Sequence, residues 1–380
     1  MVGIIGKIME NNIQQPPKKT KILNYINVFR GLAILLIIMG HTMQFGDANS
    51  LAHIINCEII CGGTALFIFI SGFLFQHLSP KFEYKNYLSK KWTNVIMPYL
   101  IISIPGIILC FMYPEAYKNS FAGLSAWLQI PLHITIGRVH NIPTWFIPMI
   151  VIFFIFSWCF LKLEKKGILY KLLPILFLIT MFFPRGIAEY ENTIGLEYID
   201  KYFVYLKYIF TNFVHFLSLY VFGMYCSAHK EIIDKFYDKR FWLWLFMLVF
   251  SLFDIYLQYK YQYSNYTISK TFLTMLILAY LKHYDEFILS HKKTNKTLDF
   301  IAKYSFGLFF VHWYWFFAYN QLFNLPTVAP LVNNNYLLTF GIILARFFAV
   351  ALISLVSLFL IKILLLKINP EINTRKFIGI

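Results

Sequence analysis

The chain has 380 residues, of which 59% are hydrophobic and only 14% are charged. A soluble globular domain carries about 25% charged residues, so this composition excludes a soluble enzyme and a secreted domain. The net charge of +16 would suggest a nucleic-acid partner in a soluble protein. Here, however, the Lys and Arg residues stand between long apolar runs, as they do in the loops of membrane proteins, so we expect no nucleic-acid partner.

Apolar runs long enough to cross a membrane recur along nearly the whole chain. A transmembrane helix needs about 20 mostly apolar residues. Ten segments fit this length: 26–44, 54–76, 95–113, 144–162, 168–184, 208–227, 241–258, 267–282, 304–323 and 336–361. The sequence therefore predicts an all-α polytopic membrane protein with about ten transmembrane helices.

The distribution of basic residues predicts the orientation of these helices, because Lys and Arg collect in cytoplasmic loops. With the N-terminus in the cytoplasm, 25 of the 34 Lys and Arg residues fall in cytoplasmic segments and 7 fall in external loops. Both termini are therefore predicted to be cytoplasmic. Residues 1–21 are polar and lack the apolar core of a signal peptide, so we expect a flexible cytoplasmic leader followed by one membrane domain at 22–380.

Two ionisable residues, Arg30 and His41, lie inside the first predicted span. Eleven helical residues make about three turns, so the two side chains share one face and are separated by about 16 Å along the axis. Ionisable side chains inside spans are costly and usually functional. The spacing leaves a second interpretation open, in which Arg30 extends to the cytoplasmic interface and His41 lies at the outer rim.

The segment around these residues resembles the opening of the membrane-bound acyltransferase-3 family, with Asn27-Val-Phe-Arg30-Gly-Leu-Ala-Ile followed by Gly40-His41. Four further elements follow in the family's order: Leu66-Phe-Ile-Phe-Ile-Ser71-Gly72-Phe73-Leu74-Phe75, Pro98-Tyr99, Trp145-Phe-Ile-Pro148 and Ser305-Phe-Gly-Leu-Phe-Phe-Val-His312. The likeness covers roughly residues 22–378. Two positions differ: Asn27 stands where the family often has Asp, and Lys90-Lys91 stand near its usual pair of arginines.

This resemblance implies an enzyme that takes an acyl group, usually acetyl, from acyl-coenzyme A in the cytoplasm. The acceptor would be a hydroxyl of a polysaccharide, a lipopolysaccharide or a related envelope glycan. The resemblance also implies a multi-pass protein of the bacterial cytoplasmic membrane, without a tightly bound cofactor. The Cys and His residues show no ligand-like spacing, so we expect no metal site. Its partners would be acyl-coenzyme A as co-substrate, the glycan acceptor, the lipid bilayer and the machinery of polysaccharide synthesis.

The chemistry assigns expected roles to the first-span residues and the cytoplasmic lysines. A hydroxyl is a poor nucleophile at neutral pH and needs a general base, most often His, which suits His41. The phosphates of the donor need basic residues, which suits Arg30, Lys90 and Lys91 at the cytoplasmic face. The sequence leaves open whether His41 deprotonates the acceptor directly or is transiently acylated.

Four other residues complete the predicted site. Glu58 has a predicted depth close to that of His41 and could accept a hydrogen bond from its imidazole, or it could be a solvated interfacial carboxylate. Trp145 could stack against a sugar of the acceptor or belong to the aromatic belt. For His312 and Arg346, which we place near mid-membrane, a role in substrate binding and a structural pairing are equally compatible with the sequence.

A different class of protein also fits a membrane domain with buried charges, namely a transporter or flippase for a lipid-linked or polymeric glycan. Transporters commonly contain inverted repeats with broken helices at corresponding positions. The sequence shows no such pair of segments. The acyltransferase interpretation is therefore preferred over the transporter.

Overall fold

The protein is described by a computed structural model that covers residues 23–47, 49–115, 119–137, 144–183, 185 and 197–380. Within these ranges every regular element is a helix, which confirms the all-α class, and a single isolated bridge pairs Phe45 with Ala329. The predicted leader at 1–21 lies outside the described residues.

The first half of the described chain contains eight α-helices. They are α1 (Asn24–Thr42), α2 (Leu51–Ile60), α3 (Gly63–Leu78), α4 (Tyr84–Lys91), α5 (Met97–Met112), α6 (Ala126–Ile136), α7 (Phe146–Ile155) and α8 (Ser157–Lys165). A π-helical turn at Trp92–Ile96 joins α4 to α5.

Nine further α-helices follow in the second half. They are α9 (Leu173–Phe182), α10 (Glu197–Ala228), α11 (Glu231–Asp238), α12 (Arg240–Tyr261), α13 (Thr267–His283), α14 (Asp285–Ser290), α15 (Lys292–Leu322), α16 (Tyr336–Ile368) and α17 (Thr374–Ile378). Short 3-10 turns lie at Ser79–Lys81, Leu169–Leu172 and Val332–Asn334.

Local chemistry sets several of the helix ends. Ser50 and Asn335 precede α2 and α16, and their side-chain oxygens accept the backbone N–H groups of the first turn, which otherwise have no partner. Gly62 breaks the second predicted span between α2 and α3 because its φ of +91° is a left-handed conformation that favours glycine.

Six helical stretches in the described part of the chain are long and apolar enough to cross a membrane: Asn24–Thr42, Leu51–Lys81, Tyr84–Met112, Glu197–Ala228, Arg240–Tyr261 and Tyr336–Ile368. Counting the bent pair α7–α8 as one span raises the number to seven. These helices support a multi-pass membrane protein. The count of ten spans and the cytoplasmic location of the termini stay predictions.

The outer helices expose a large apolar surface, whose contact with water would be unfavourable. Helices α12 and α16 leave most of their side chains on the outside of the bundle, including Trp244, Leu248, Leu352 and Phe359, whereas α1 and α10 bury most of theirs. Exposed apolar surface of this extent is typical of contact with lipid.

Helices α1 and α15 pack side by side and run in the same direction. Arg30 contacts Ala302 near the start of α1, and His41 stacks on His312 near its end. Residue numbers rise together along both helices, so the pair is parallel. Two spans can be parallel only if an odd number of spans lies between them, which agrees with their prediction as the first and ninth spans.

Helices α3 and α10 approach each other closely at two glycines. A Cβ atom added to Gly72 would lie 2.0 Å from the carbonyl oxygen of Tyr220, and one added to Gly223 would lie 2.1 Å from that of Phe69. Small residues allow such backbone contact between membrane helices, where van der Waals packing is a main source of association energy.

Gly72→Ala is therefore expected to destabilise the bundle by about 3 kcal/mol or more, because the methyl group must displace backbone rather than a mobile side chain. Gly341→Ala is the matched control, since this glycine of α16 has no atom within 4 Å of an added Cβ. The melting temperature of the purified protein in detergent measures both. Equal melting temperatures for the two variants would contradict the close packing of α3 and α10.

One basic residue that the loop count places outside the bundle is buried within it. Lys270, counted above among the external loops, lies in α13 with 4% exposure, and its ammonium group donates to the carbonyl oxygens of Glu58 and Ile59 at the end of α2. A cation at a helix C-terminus satisfies the unpaired carbonyl groups there. This long-range contact, which the loop pattern does not reveal, explains the burial.

Candidate active site

His41, near the end of α1, faces two aromatic residues of α15. Its ring stacks on that of His312 with 5.4 Å between centroids and 29° between planes. Its ring also meets the edge of Trp313 at 5.1 Å and 84°. The parallel packing of α1 and α15 thus places a second imidazole directly beside His41, a partnership that the sequence pattern did not predict.

His312 is fully buried, and its hydrogen bond defines its tautomer. Its Nδ1 atom lies 2.8 Å from the carbonyl oxygen of Leu308, which can only accept, so Nδ1 carries the proton and donates. In the neutral ring Nε2 is then an acceptor, and it has no hydrogen-bond partner in the described part of the chain. This nitrogen is therefore the position of the ring that can still accept a hydrogen bond from a ligand or a water molecule.

Arg346 holds the chain directly after His41. This fully buried guanidinium donates to the carbonyl oxygens of Thr42 at 2.6 Å, Pro326 at 3.1 Å and Gln44 at 3.3 Å. Carbonyl groups at a helix end need donors, and all three donating nitrogens of Arg346 are used for them. Of the two roles open to Arg346, the structure therefore favours structural pairing over substrate binding.

Arg30 and His41 both face α15, as their spacing predicts. The Nε and Nη2 atoms of Arg30 donate to the carbonyl oxygen of Ala302 at 3.0 and 2.8 Å, and Nη2 also donates to the side-chain oxygen of Asn27 at 3.1 Å. Asn27 in turn donates to the carboxylate of Asp299. Asp299 of α15 therefore supplies the carboxylate that the family often has at position 27, and the Asn27 amide connects this carboxylate to Arg30.

Glu58 is buried, but its carboxylate does not orient His41. Its Oε1 atom accepts hydrogen bonds from the hydroxyls of Ser251 at 2.7 Å and Ser269 at 2.6 Å. The predicted hydrogen bond to the His41 imidazole is therefore wrong, because Glu58 lies on the face of α2 that packs toward α12 and α13, whereas His41 faces α15. Its interpretation as a solvated interfacial carboxylate is wrong as well, since its exposure is only 3%. Asp254 of α12, in the same region, is also buried and accepts the backbone N–H of Asn265 at 2.6 Å.

Lys90 and Lys91, adjacent in α4, have different surroundings. Lys90 is exposed. The ammonium group of Lys91 lies over the rings of Phe154 and Tyr87, 4.6 and 5.1 Å from their centroids, at the side of a cavity of about 340 Å³. Cation–π contacts hold Lys91 in one position, whereas Lys90 is free to follow a ligand.

Trp145 is half-buried and has a cationic neighbour that the sequence did not indicate. The guanidinium of Arg185 lies 4.8 Å from the Trp145 ring, and its Nε donates to the side-chain oxygen of Asn212 at 3.2 Å. The edge of Tyr208 contacts the same tryptophan at 5.6 Å. One side of the indole is therefore covered by protein, and stacking of a sugar on Trp145 stays a prediction.

A family model described as an acyltransferase domain matches residues 23–361. The chain belongs to the acyltransferase-3 family. The match begins before α1 and ends within α16, so all five sequence elements named above lie inside it, and α17 lies outside it. No curated protein and no solved structure matches this acyltransferase.

Proposed function

We propose that this acyltransferase transfers an acyl group, in the first instance acetyl, from acyl-coenzyme A to a hydroxyl of an envelope glycan at the bacterial cytoplasmic membrane. The observation that carries the proposal is the pair of stacked imidazoles of His41 and His312, on the face of α1 that also carries Arg30. A histidine within reach of an acceptor hydroxyl supplies the general base that acyl transfer needs.

In the proposed reaction, His41 is the only residue that takes up and returns a proton. Its imidazole takes the proton of the acceptor hydroxyl while the oxygen attacks the thioester carbonyl carbon. The carbon–sulfur bond then breaks, and the leaving thiolate of coenzyme A takes the proton from the His41 imidazolium. The acceptor leaves as an ester, coenzyme A leaves as a free thiol, and His41 returns to its neutral form.

The neighbours of His41 keep its ring in place during this cycle. Trp313 contacts it edge-on and His312 contacts its face, while Arg346 fixes the carbonyl groups of the residues that follow. A preorganised base avoids the loss of side-chain freedom that would otherwise accompany each turnover. In this proposal His312 and Arg346 are positioning residues.

The donor would bind at the end of the bundle that carries Arg30, Lys90 and Lys91, and we assign this end to the cytoplasm. The assignment rests on the 25-to-7 asymmetry of basic residues. Reporter fusions after residues 85, 125, 235 and 330 should then read inside, outside, inside and outside. A reversed pattern would put the donor site on the wrong side for cytoplasmic acyl-coenzyme A.

Replacing Lys90 and Lys91 together by Ala is expected to raise the apparent KM for acyl-coenzyme A more than it lowers kcat, because a phosphate contact exists in both the ground state and the transition state. Lys91 is held beside the cavity, so Lys91→Ala alone should account for most of the change. Lys260→Ala, which removes an exposed lysine of α12 that has no assigned role, is the control. An unchanged donor KM in the double variant would remove both residues from the donor site.

The function itself is tested by the acyl content of envelope glycans in a strain that lacks the gene and in the same strain carrying the wild-type gene. Restored acylation with unchanged glycan export supports the proposal. Loss of export without a change in the acyl content of the exported glycan would instead indicate a transporter.

A further inference from the structure

Residues 373–380 form a small docked unit at the end of the bundle where α1 begins. Asn373 caps α17 by accepting the backbone N–H of Arg375 at 3.1 Å, and the hydroxyl of Thr374 donates to the carbonyl oxygen of Ile380 at 2.6 Å. Ile378 and Ile380 are only 6% and 8% exposed. The segment is therefore folded against the bundle rather than extended from it.

A glycine of α15 makes this docking possible. A Cβ atom added to Gly307 would lie 2.8 Å from the carbonyl oxygen of Ile378 and 3.0 Å from the side chain of Ile380. Gly307 lies five residues after Ala302, which binds Arg30, and five before His312, or about 7.5 Å along the helix from each. The docked segment thus reaches α15 between the levels of Arg30 and His41.

The docked segment adds a third cation, Arg375, to Arg30 and Lys91. Helix α17 packs against α5 and against the π-helical turn that directly follows Lys91. The exposed Arg375 interacts electrostatically with both Arg30 and Lys91. Three positive charges from distant parts of the sequence therefore lie at this end of the bundle, and like charges repel one another.

The three cations differ in how many of their donor groups remain free to bind a ligand. Arg30 already donates to Ala302 and Asn27, and Lys91 is held over two rings. The Arg375 side chain has neither an ion pair nor a hydrogen bond within the described part of the chain. A guanidinium presents a planar fork that binds two phosphate oxygens at once, which a lysine ammonium cannot do.

We propose that Arg375, held in place by the docked 373–380 segment, binds the phosphates of the acyl-coenzyme A donor together with Arg30 and Lys91. This inference rests on the proposed function. A polyanion relieves the repulsion among the three cations, and Arg375 supplies the bidentate contact. The 373–380 segment is then one wall of the donor site, although it lies outside the residues that the family model matches.

The test measures binding of coenzyme A to the full chain in nanodiscs of neutral lipid. Arg375→Ala should raise the Kd for coenzyme A by about tenfold, since charge-assisted phosphate contacts of this kind are worth about 1.4 kcal/mol or more. Arg375→Lys should give an intermediate Kd. Lys376→Ala, which also removes an exposed positive charge from the same short helix, should leave the Kd unchanged.

Equal Kd values for the wild type and Arg375→Ala would overturn the inference and leave the proposed function intact. No binding of coenzyme A by the wild type would overturn the proposed function and the inference with it. A second variant, Gly307→Ala, separates docking from charge, because the added methyl group displaces the segment. It should raise the Kd on its own but add little to Arg375→Ala, whereas additive effects would show that docking does not position Arg375.

Discussion

His41→Ala is expected to lower acyl transfer by about 10²-fold or more, because the acceptor hydroxyl loses the general base that activates it. His41→Gln should behave alike, since an amide cannot take up a proton at neutral pH. The measurements are kcat with a defined acceptor and the acyl content of envelope glycans in the complemented strain. Protein abundance should barely change, because the His41 ring is only half-buried.

His229→Ala is a suitable control, since this exposed histidine lies far along the chain in the turn between α10 and α11. Wild-type acylation by His41→Ala at matched protein levels would remove His41 from catalysis. A transporter would give a different result: the glycan would continue to reach the surface with no acyl group lost.

Arg346→Met is expected to destabilise the protein by about 3–5 kcal/mol, because it leaves three carbonyl groups without their donor inside the bundle. Arg346→Lys should be intermediate, since a single ammonium cannot reach all three acceptors in the planar geometry of the guanidinium. The melting temperature and the monodisperse fraction in detergent measure the effect. Arg240→Met, which removes an exposed arginine, is the matched control.

The same pair of variants distinguishes the two roles that the sequence left open for Arg346. A structural residue lowers the melting temperature and reduces activity only through loss of folded protein. A normal melting temperature combined with a raised acceptor KM would instead show that Arg346 binds substrate. The contacts with Thr42, Gln44 and Pro326 predict the first outcome.

Local regularities of the sequence predicted the parts of the site that lie on one helix. The helical period places Arg30 and His41 on one face, and in the structure both side chains contact α15. The all-α class likewise followed from apolar runs alone, because a backbone in lipid must satisfy its own hydrogen bonds. The order of short motifs indicated the acyltransferase-3 family, which the match over residues 23–361 confirms.

Contacts between distant segments could not be predicted in this way. His41 and His312 are 271 positions apart, and nothing in the local pattern of either helix states that α1 and α15 are parallel neighbours. Glu58 shows that the depth of a residue along a span is not enough to predict its hydrogen-bond partner. Its depth was estimated from its position along a span, but the direction of its carboxylate depends on which helices pack against α2, and the structure directs it to Ser251 and Ser269.

The membrane class, the family and the shared face of Arg30 and His41 can all be predicted from the chain alone, because they depend on local hydropathy, short motifs and the helical period. Helix packing instead sets which groups become partners: the His312 ring beside His41, the carbonyl groups that Arg346 holds, and the docking of the helix that carries Arg375. These groups lie on helices that are far apart in the sequence. The energy of each contact depends on the distance and angle between two packed helices, which the sequence of either helix alone does not define.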